Sequence, residues 1–210
     1  GLYTSPYINR FNERMQVNGV PISDEDLEAL VDQIRPIANA LTDSPTEFEL
    51  ITALGFLYFL QAHCDIVVLE VGLGGALDST NVIPAPEAAV ITALGLDHTA
   101  VLGDTIQDVA RAKAGIIKPG SPVISYGGVP EADAVIAAVC QEQGCPLYPV
   151  DFSQLTPLPS DLSGTRFSFG NLENLALPLL GSYQPYNAAV AITTLKVLDQ
   201  RGWHISDAAI

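Results

Sequence analysis

Short apolar runs with strand spacing alternate along this chain with longer segments whose apolar residues recur at helical spacing. The opening Gly1-Leu-Tyr-Thr-Ser5-Pro6 reads as the end of a strand and its turn. Residues 13–17 alternate as a strand, and Asn18-Gly19 supplies a turn. Ser23 caps a helix predicted to about Ala40. Ser44-Pro45-Thr46-Glu47 starts a second, with Ser44 as cap, Pro45 in the first position and Glu47 in the third. That helix is apolar on nearly every face to Leu60, which predicts burial. Strands are expected at residues 66–71, 88–93 and 122–125, with a helix over 105–117 between the last two. A helix over 131–143 leads to a strand near Leu147. Residues 151–164, rich in Pro, Ser and Asp, read as a loop. Residues 166–169 and 172–177 flank Gly170-Asn171, a two-residue hairpin signal, and a last helix covers 186–200. Strand–helix–strand alternation of this kind predicts an α/β fold, a mostly parallel sheet flanked by helices.

Composition narrows the partners. The 24 acids and 9 bases give a formal charge of -15, which repels nucleic acid and anionic membranes. Cations are therefore scarce, and the grouping of Arg111, Lys113 and Lys118 calls for a reason. The longest apolar run, residues 50–60, contains Thr52 and is too short for a bilayer, and no secretory signal opens the chain. Cys64, Cys140 and Cys145 are odd in number and form no CxxC pair; they read as reduced thiols of a cytoplasmic protein, not as a zinc site.

The chemistry centres on Asp65-Ile-Val-Val-Leu-Glu70-Val-Gly72-Leu-Gly74-Gly75. A buried parallel strand here delivers one acid to the carboxyl edge of the sheet, where such folds place ligands. The third glycine of a dinucleotide fingerprint is missing, since position 77 is Leu, and no GxxxxGK[ST] phosphate loop occurs. His98 follows another strand end, so Glu70 and His98 are expected to share a crevice suited to a divalent metal. A structural histidine satisfied by Asp97 is the competing reading. Ser5 is either a turn residue or a hydroxyl completing a magnesium shell. Lys113 falls on the stripe of Ile106, Val109, Ala110, Ile116 and Ile117. Such a lysine either snorkels to water or is desolvated, neutral and able to take up carbon dioxide as a carbamate.

Read in order, Thr4-Ser5-Pro6-Tyr7-Ile8 with Phe11-Asn12-Glu13-Arg14, Glu70-Val-Gly-Leu-Gly-Gly75, Leu77-Asp-Ser-Thr-Asn81, Gly95-Leu-Asp-His98-Thr99, Lys113-Ala-Gly-Ile-Ile-Lys-Pro-Gly120 and Gly181-Ser-Tyr-Gln-Pro-Tyr-Asn187 resemble the folylpolyglutamate synthase and dihydrofolate synthase family of the Mur ligase superfamily. The resemblance implies a central ATPase-type domain over residues 1–205 with a small β-hairpin insertion. Residues 206–210 would begin a linker, and both ends read as truncated. It implies an ATP-dependent, ADP-forming amide ligase that adds L-glutamate to dihydropteroate or folates through an acyl phosphate, with two Mg2+ ions, acting as a cytoplasmic monomer when full-length. Ser5, Glu70 and His98 would be metal ligands, and Lys113, as a carbamate, would act with His98 in catalysis. Gln184 and Asn187 would meet the nucleotide. Thr46, Glu47, Phe48, Glu49, Leu77, Asp78 and Ser79 would meet the pterin substrate. The family's usual histidine after Ser-Pro is Tyr7 here, and its usual arginine after the double glycine is Ala76. A cell-wall Mur ligase and a non-catalytic pterin-binding paralogue are the alternative readings. Lacking the phosphate loop, residues 1–210 by themselves are expected to be inactive.

Overall fold

The computed structural model describes every residue from Gly1 to Ile210. It divides into two compact units, Gly1–Ile83 and Pro84–Ile210.

The first unit begins with β1 (Leu2–Tyr3), a 3-10 turn at Phe11–Arg14, β2 (Met15–Val17) and β3 (Val20–Pro21). Two helices, α1 (Asp24–Asn39) and α2 (Glu47–Gln61), and then β4 (Val68–Leu69) complete it. The sheet order is β3-β2-β1-β4, antiparallel except for the parallel β1–β4 pair. The β2–β3 hairpin turns at Asn18 and Gly19, both at positive φ, as a two-residue turn of matching twist requires. Tyr3, Met15, Ile22, Leu30, Ile51, Leu54 and Phe59 form the core between the helices and the sheet. Gly55 in α2 lets the Tyr3 ring approach: a Cβ there would lie 2.9 Å from Tyr3 Cδ2.

Three expectations change in this unit. Helix α2 starts two residues late: Thr46, not Ser44, is the cap, because Thr46 and Glu49 satisfy each other's backbone N–H groups in a capping box. The strand expected over residues 66–71 pairs only at Val68–Leu69, because its partner β1 offers two residues. The strand expected over 13–17 begins at Met15, since the Glu13 carboxylate collects the N–H groups of Ile8, Asn9 and Arg10 and coils the chain ahead of it.

In the second unit β5 (Ala89–Ile91), α3 (Thr99–Leu102), α4 (Ile106–Ala114), β6 (Val123–Ser125), α5 (Pro130–Gln143) and β7 (Leu147–Pro149) build a parallel β5-β6-β7 sheet. Strands β8 (Leu155–Asp161), β9 (Gly164–Phe169) and β10 (Leu172–Leu177) form an antiparallel sheet, and α6 (Gln184–Leu198) closes the unit. Successive residues of β6 face opposite ways. Val123 packs with Ala114 of α4, Ile117 just beyond it, and Ile136 and Cys140 of α5, whereas Ile124 packs with Phe167, Ala189 and Val190 from β9 and α6. The parallel sheet is thus covered on both faces, as expected for this fold class. The cysteines are free; burial, with Cys145 nearby, pushes the Cys140 thiol up to about 11.

The loop expected over 151–164 is instead a short 3-10 turn followed by β8. Pro157 and Pro159 made this stretch look unpairable. It lies at the sheet edge, in the order β10-β9-β8, where a missing N–H costs least. Helix α4 ends at Ala114, three residues short of expectation, and α6 runs into a π turn at Asp199–Trp203.

Candidate functional site

Parallel pairing of β1 and β4 carries both chains out of the sheet at the same edge. Leu2 is opposite Val68 and Tyr3 opposite Leu69, and the Glu70 N–H continues the ladder to the Tyr3 carbonyl at 3.0 Å. Two residues beyond Tyr3, the Ser5 N–H donates to Glu70 Oε2 at 2.7 Å. Ser5 and Glu70, both expected as metal ligands though of different ions, are therefore adjacent. Glu70 is exposed, not buried as the apolar run before it suggested, and its partner here is a backbone amide. Its second carboxylate oxygen and the Ser5 hydroxyl accept and donate no hydrogen bond.

The glycine turn after Glu70 joins the segments expected to meet substrate. A Cβ on Gly72 would clash with the Phe48 ring, 2.7 Å from its Cε1, and would sit 3.1 Å from Asp78 Oδ2. Phe48 thus lies against the turn, and its ring is 6.4 Å from that of Tyr3. Asp78 closes the turn from within: Oδ2 accepts the Leu73 N–H at 2.8 Å, and Oδ1 accepts the Thr80 N–H and hydroxyl at 2.9 and 2.6 Å. Both oxygens are spent on the loop, so Asp78 shapes the turn that presents Leu77, which is fully exposed. Thr46 and Glu49 are likewise occupied with each other, and the Thr46 N–H, then its hydroxyl, hold the Glu49 carboxyl below its ordinary range. Glu47 is exposed and Ser79 half-buried. A relay runs beneath: the Thr52 hydroxyl donates to the Phe48 carbonyl at 2.8 Å, so the Tyr3 hydroxyl donates to Thr52 at 3.0 Å. Burial pushes the Tyr3 phenol up.

In the second unit His98 caps α3 in the left-handed conformation, with φ 51° and ψ 35°. Its N–H donates to Asp97 Oδ1 at 2.7 Å, while its imidazole Nε2 is 3.7 Å from Asp97 Oδ2 and mostly exposed. Such a separation leaves the ring open to another partner. Lys113 is half-buried on α4, one turn from the buried Val109 and Ala110 on the same face of the helix. Gln184 and Asn187 sit three residues apart in the first turn of α6, Gln184 half-buried and Asn187 exposed. Beside that turn lies an open groove of about 860 Å³, lined by Tyr126, Arg166, Tyr183 and Tyr186 among others. Tyr126, Phe152 and Tyr186 stack in succession at 4.6 and 5.2 Å. Sequence reasoning missed this groove, because its wall is β8, the strand hidden behind two prolines.

The family described as Mur ligase middle domain matches residues 27–195. The chain is similar to the dihydrofolate synthase/folylpolyglutamate synthase of Bacillus subtilis (strain 168), at 42% identity over 221 aligned residues, 100% of this chain and 51% of the relative. It is 44% identical over 207 residues to the folylpolyglutamate synthase of Lacticaseibacillus casei, 94% of this chain and 48% of the relative. A solved FPGS-AMPPCP-folate complex superposes with a TM-score of 0.89 at 40% identity, covering 100% of this chain and 53% of that one. The chain spans about half the length of the curated relatives it matches. No helix is long and apolar enough to cross a membrane. With the middle-domain match running through both units and the whole chain following a solved FPGS fold, this chain belongs to the Mur ligase family.

Proposed function

We propose that the full-length protein is an ATP-dependent ligase that joins L-glutamate to the carboxylate of a pterin substrate, dihydropteroate or a folate, with release of ADP. The observation that carries this reading is the strand-end pair of Ser5 and Glu70, held at 2.7 Å with two oxygens uncommitted. It gains weight from the similarity to dihydrofolate synthase/folylpolyglutamate synthase and to a complex that contains AMPPCP, an ATP analogue, and folate.

In the proposed reaction the pterin carboxylate attacks the γ-phosphate of ATP, giving an acyl phosphate and ADP. The glutamate amine then attacks the acyl carbon, and phosphate leaves. An uncommitted carboxylate oxygen beside a free hydroxyl is a donor set that suits Mg2+, which keeps most of its water. Ser5 and Glu70 would hold that ion, and when bound it would neutralise phosphate charge. On the motif match alone, His98 is proposed as a further metal ligand and Lys113 as a carbamate carrier. Gln184 and Asn187 are proposed to receive the nucleotide at the first turn of α6. Phe48 and Leu77 are proposed to meet the pterin.

The test is ligation by the full-length protein with ATP, Mg2+, L-glutamate and either dihydropteroate or tetrahydrofolate, read as ADP release and as a product heavier by one glutamyl unit. Glu70→Ala is expected to abolish product. Residues 1–210 alone, which contain no phosphate-loop motif, are expected to form none. A full-length protein that binds the pterin without turnover would overturn the ligase reading in favour of a binding paralogue.

A further inference from the structure

The chain's other arginine ion pairs show what Arg14 lacks. Arg10 pairs with Asp24, Arg35 with Asp32 and Arg201 with Glu87, while Arg111 and Arg166 form no ion pair, Arg166 donating to Asn174 instead; neither has a buried donor without an acceptor. Arg14 has no ion pair and no side-chain hydrogen bond, and its Nε is buried without an acceptor. The acid next to it, Glu13, is unavailable, because its carboxylate is spent on the N–H groups of Ile8, Asn9 and Arg10. Two rings hold the guanidinium instead, Tyr7 at 5.3 Å and Phe11 at 5.7 Å from ring centroid to Cζ. Those rings pack 6.1 Å apart. Stacking orients a guanidinium but supplies no acceptor, and a buried charged donor without one is costly.

Its place in the fold shows what would repay that cost. The Arg14 carbonyl accepts the Thr4 N–H at 3.0 Å, and Met15 is paired with Tyr3, so Arg14 stands across from Thr4. The next residue, Ser5, is the one joined to Glu70. The unpaired guanidinium therefore belongs to the same sheet edge as the proposed metal pair. We infer that Arg14, stacked on Tyr7 and Phe11, is a substrate-binding residue that receives a carboxylate. A planar fork of donors matches a carboxylate in two-point contact. The inference rests on the ligase reading for the identity of its ligand, since that reaction uses two carboxylate-bearing substrates, L-glutamate and the pterin acceptor. Tyr7, which replaces the family's usual histidine, acts as a positioning residue: its neutral ring supports the cation, where an imidazolium would repel it.

The experiment compares the full-length wild type with R14M and R14K. In R14M the KM for one carboxylate substrate is expected to rise about tenfold to a hundredfold, with the KM for ATP unchanged. Which KM rises identifies L-glutamate or the pterin as the source. The melting temperature of R14M is expected to hold or rise, because an unsatisfied donor gives way to an apolar chain of similar length. R14K, which keeps the charge and loses the fork, should fall between. Unchanged KM values for both carboxylate substrates would overturn the inference. So would loss of folding in R14M, which would make the role structural. A wild type without turnover would instead remove the ligase reading. Calorimetric titration of wild type and R14M with L-glutamate and with dihydropteroate would then decide Arg14: weaker binding by R14M supports it, and equal or absent binding refutes it.

Discussion

Replacing Asp78 with Ala removes a carboxylate that ties Leu73 to Thr80 across the glycine turn. The carboxylate accepts the Leu73 N–H at 2.8 Å, the Thr80 N–H at 2.9 Å and the Thr80 hydroxyl at 2.6 Å, and Thr80 is only 2% exposed. Loss of the cap to the Thr80 N–H costs about 1 kcal/mol. Stranding the buried Thr80 hydroxyl adds about 1–3 kcal/mol. The more exposed Leu73 amide recovers a water partner and adds little. The turn should therefore open more readily by about 2–4 kcal/mol, or about thirtyfold to a thousandfold in amide exchange. The assay is hydrogen–deuterium exchange on peptides covering residues 72–83, with the peptide of α5 (Pro130–Gln143) as internal control. Asp78→Asn keeps one oxygen to accept from Thr80 and loses only the acceptor for the Leu73 N–H, so it should give a smaller rise. Unchanged exchange in Asp78→Ala, with the control peptide also unchanged, would refute the claim that Asp78 builds this turn. It would return Asp78 to a purely substrate-facing role.

Gly55→Ala places a methyl 2.9 Å from Tyr3 Cδ2 in the middle of the first core, and overpacking of about 1–3 kcal/mol should outweigh the gain in helix propensity. A lowered melting temperature checks this, and a raised one would mean that the Tyr3 ring can yield. The Glu13 carboxyl is held below its ordinary range by the Ile8 N–H first and then by those of Asn9 and Arg10. A depressed folded pKa contributes stability that is present above the unfolded pKa and is lost as pH falls through the folded value. Glu13→Gln should therefore melt lower at neutral pH and show a shallower acid limb. Parallel acid limbs in the two proteins would count against it.

Local chemistry was legible wherever neighbours in sequence satisfy one another. Ser23 caps α1 as its position before Asp24-Glu25-Asp26 suggested, with its hydroxyl accepting the Asp26 N–H. The turn at Gly170 and the strands on either side of it follow from their own residues. The second helix shows the limit: Ser44-Pro45 and Thr46-Glu49 both spell a start, and reciprocal side-chain contacts chose the later one. The 151–164 stretch misled because two prolines argue against a strand until its place at the sheet edge is known.

By itself the sequence settled the α/β class, the helix caps, the hairpin turns and the acid that ends an apolar run at Glu70, because each depends on residues within a few positions. The meeting of Ser5 with Glu70, of Phe48 with Gly72, and of Arg14 with two rings and no acid came from the folded chain alone. Ser5 and Glu70 are 65 residues apart, and only the parallel register of two short strands sets them side by side. Contacts across such distances carry no local signature, since the packing that makes them belongs to the whole sheet and not to either segment.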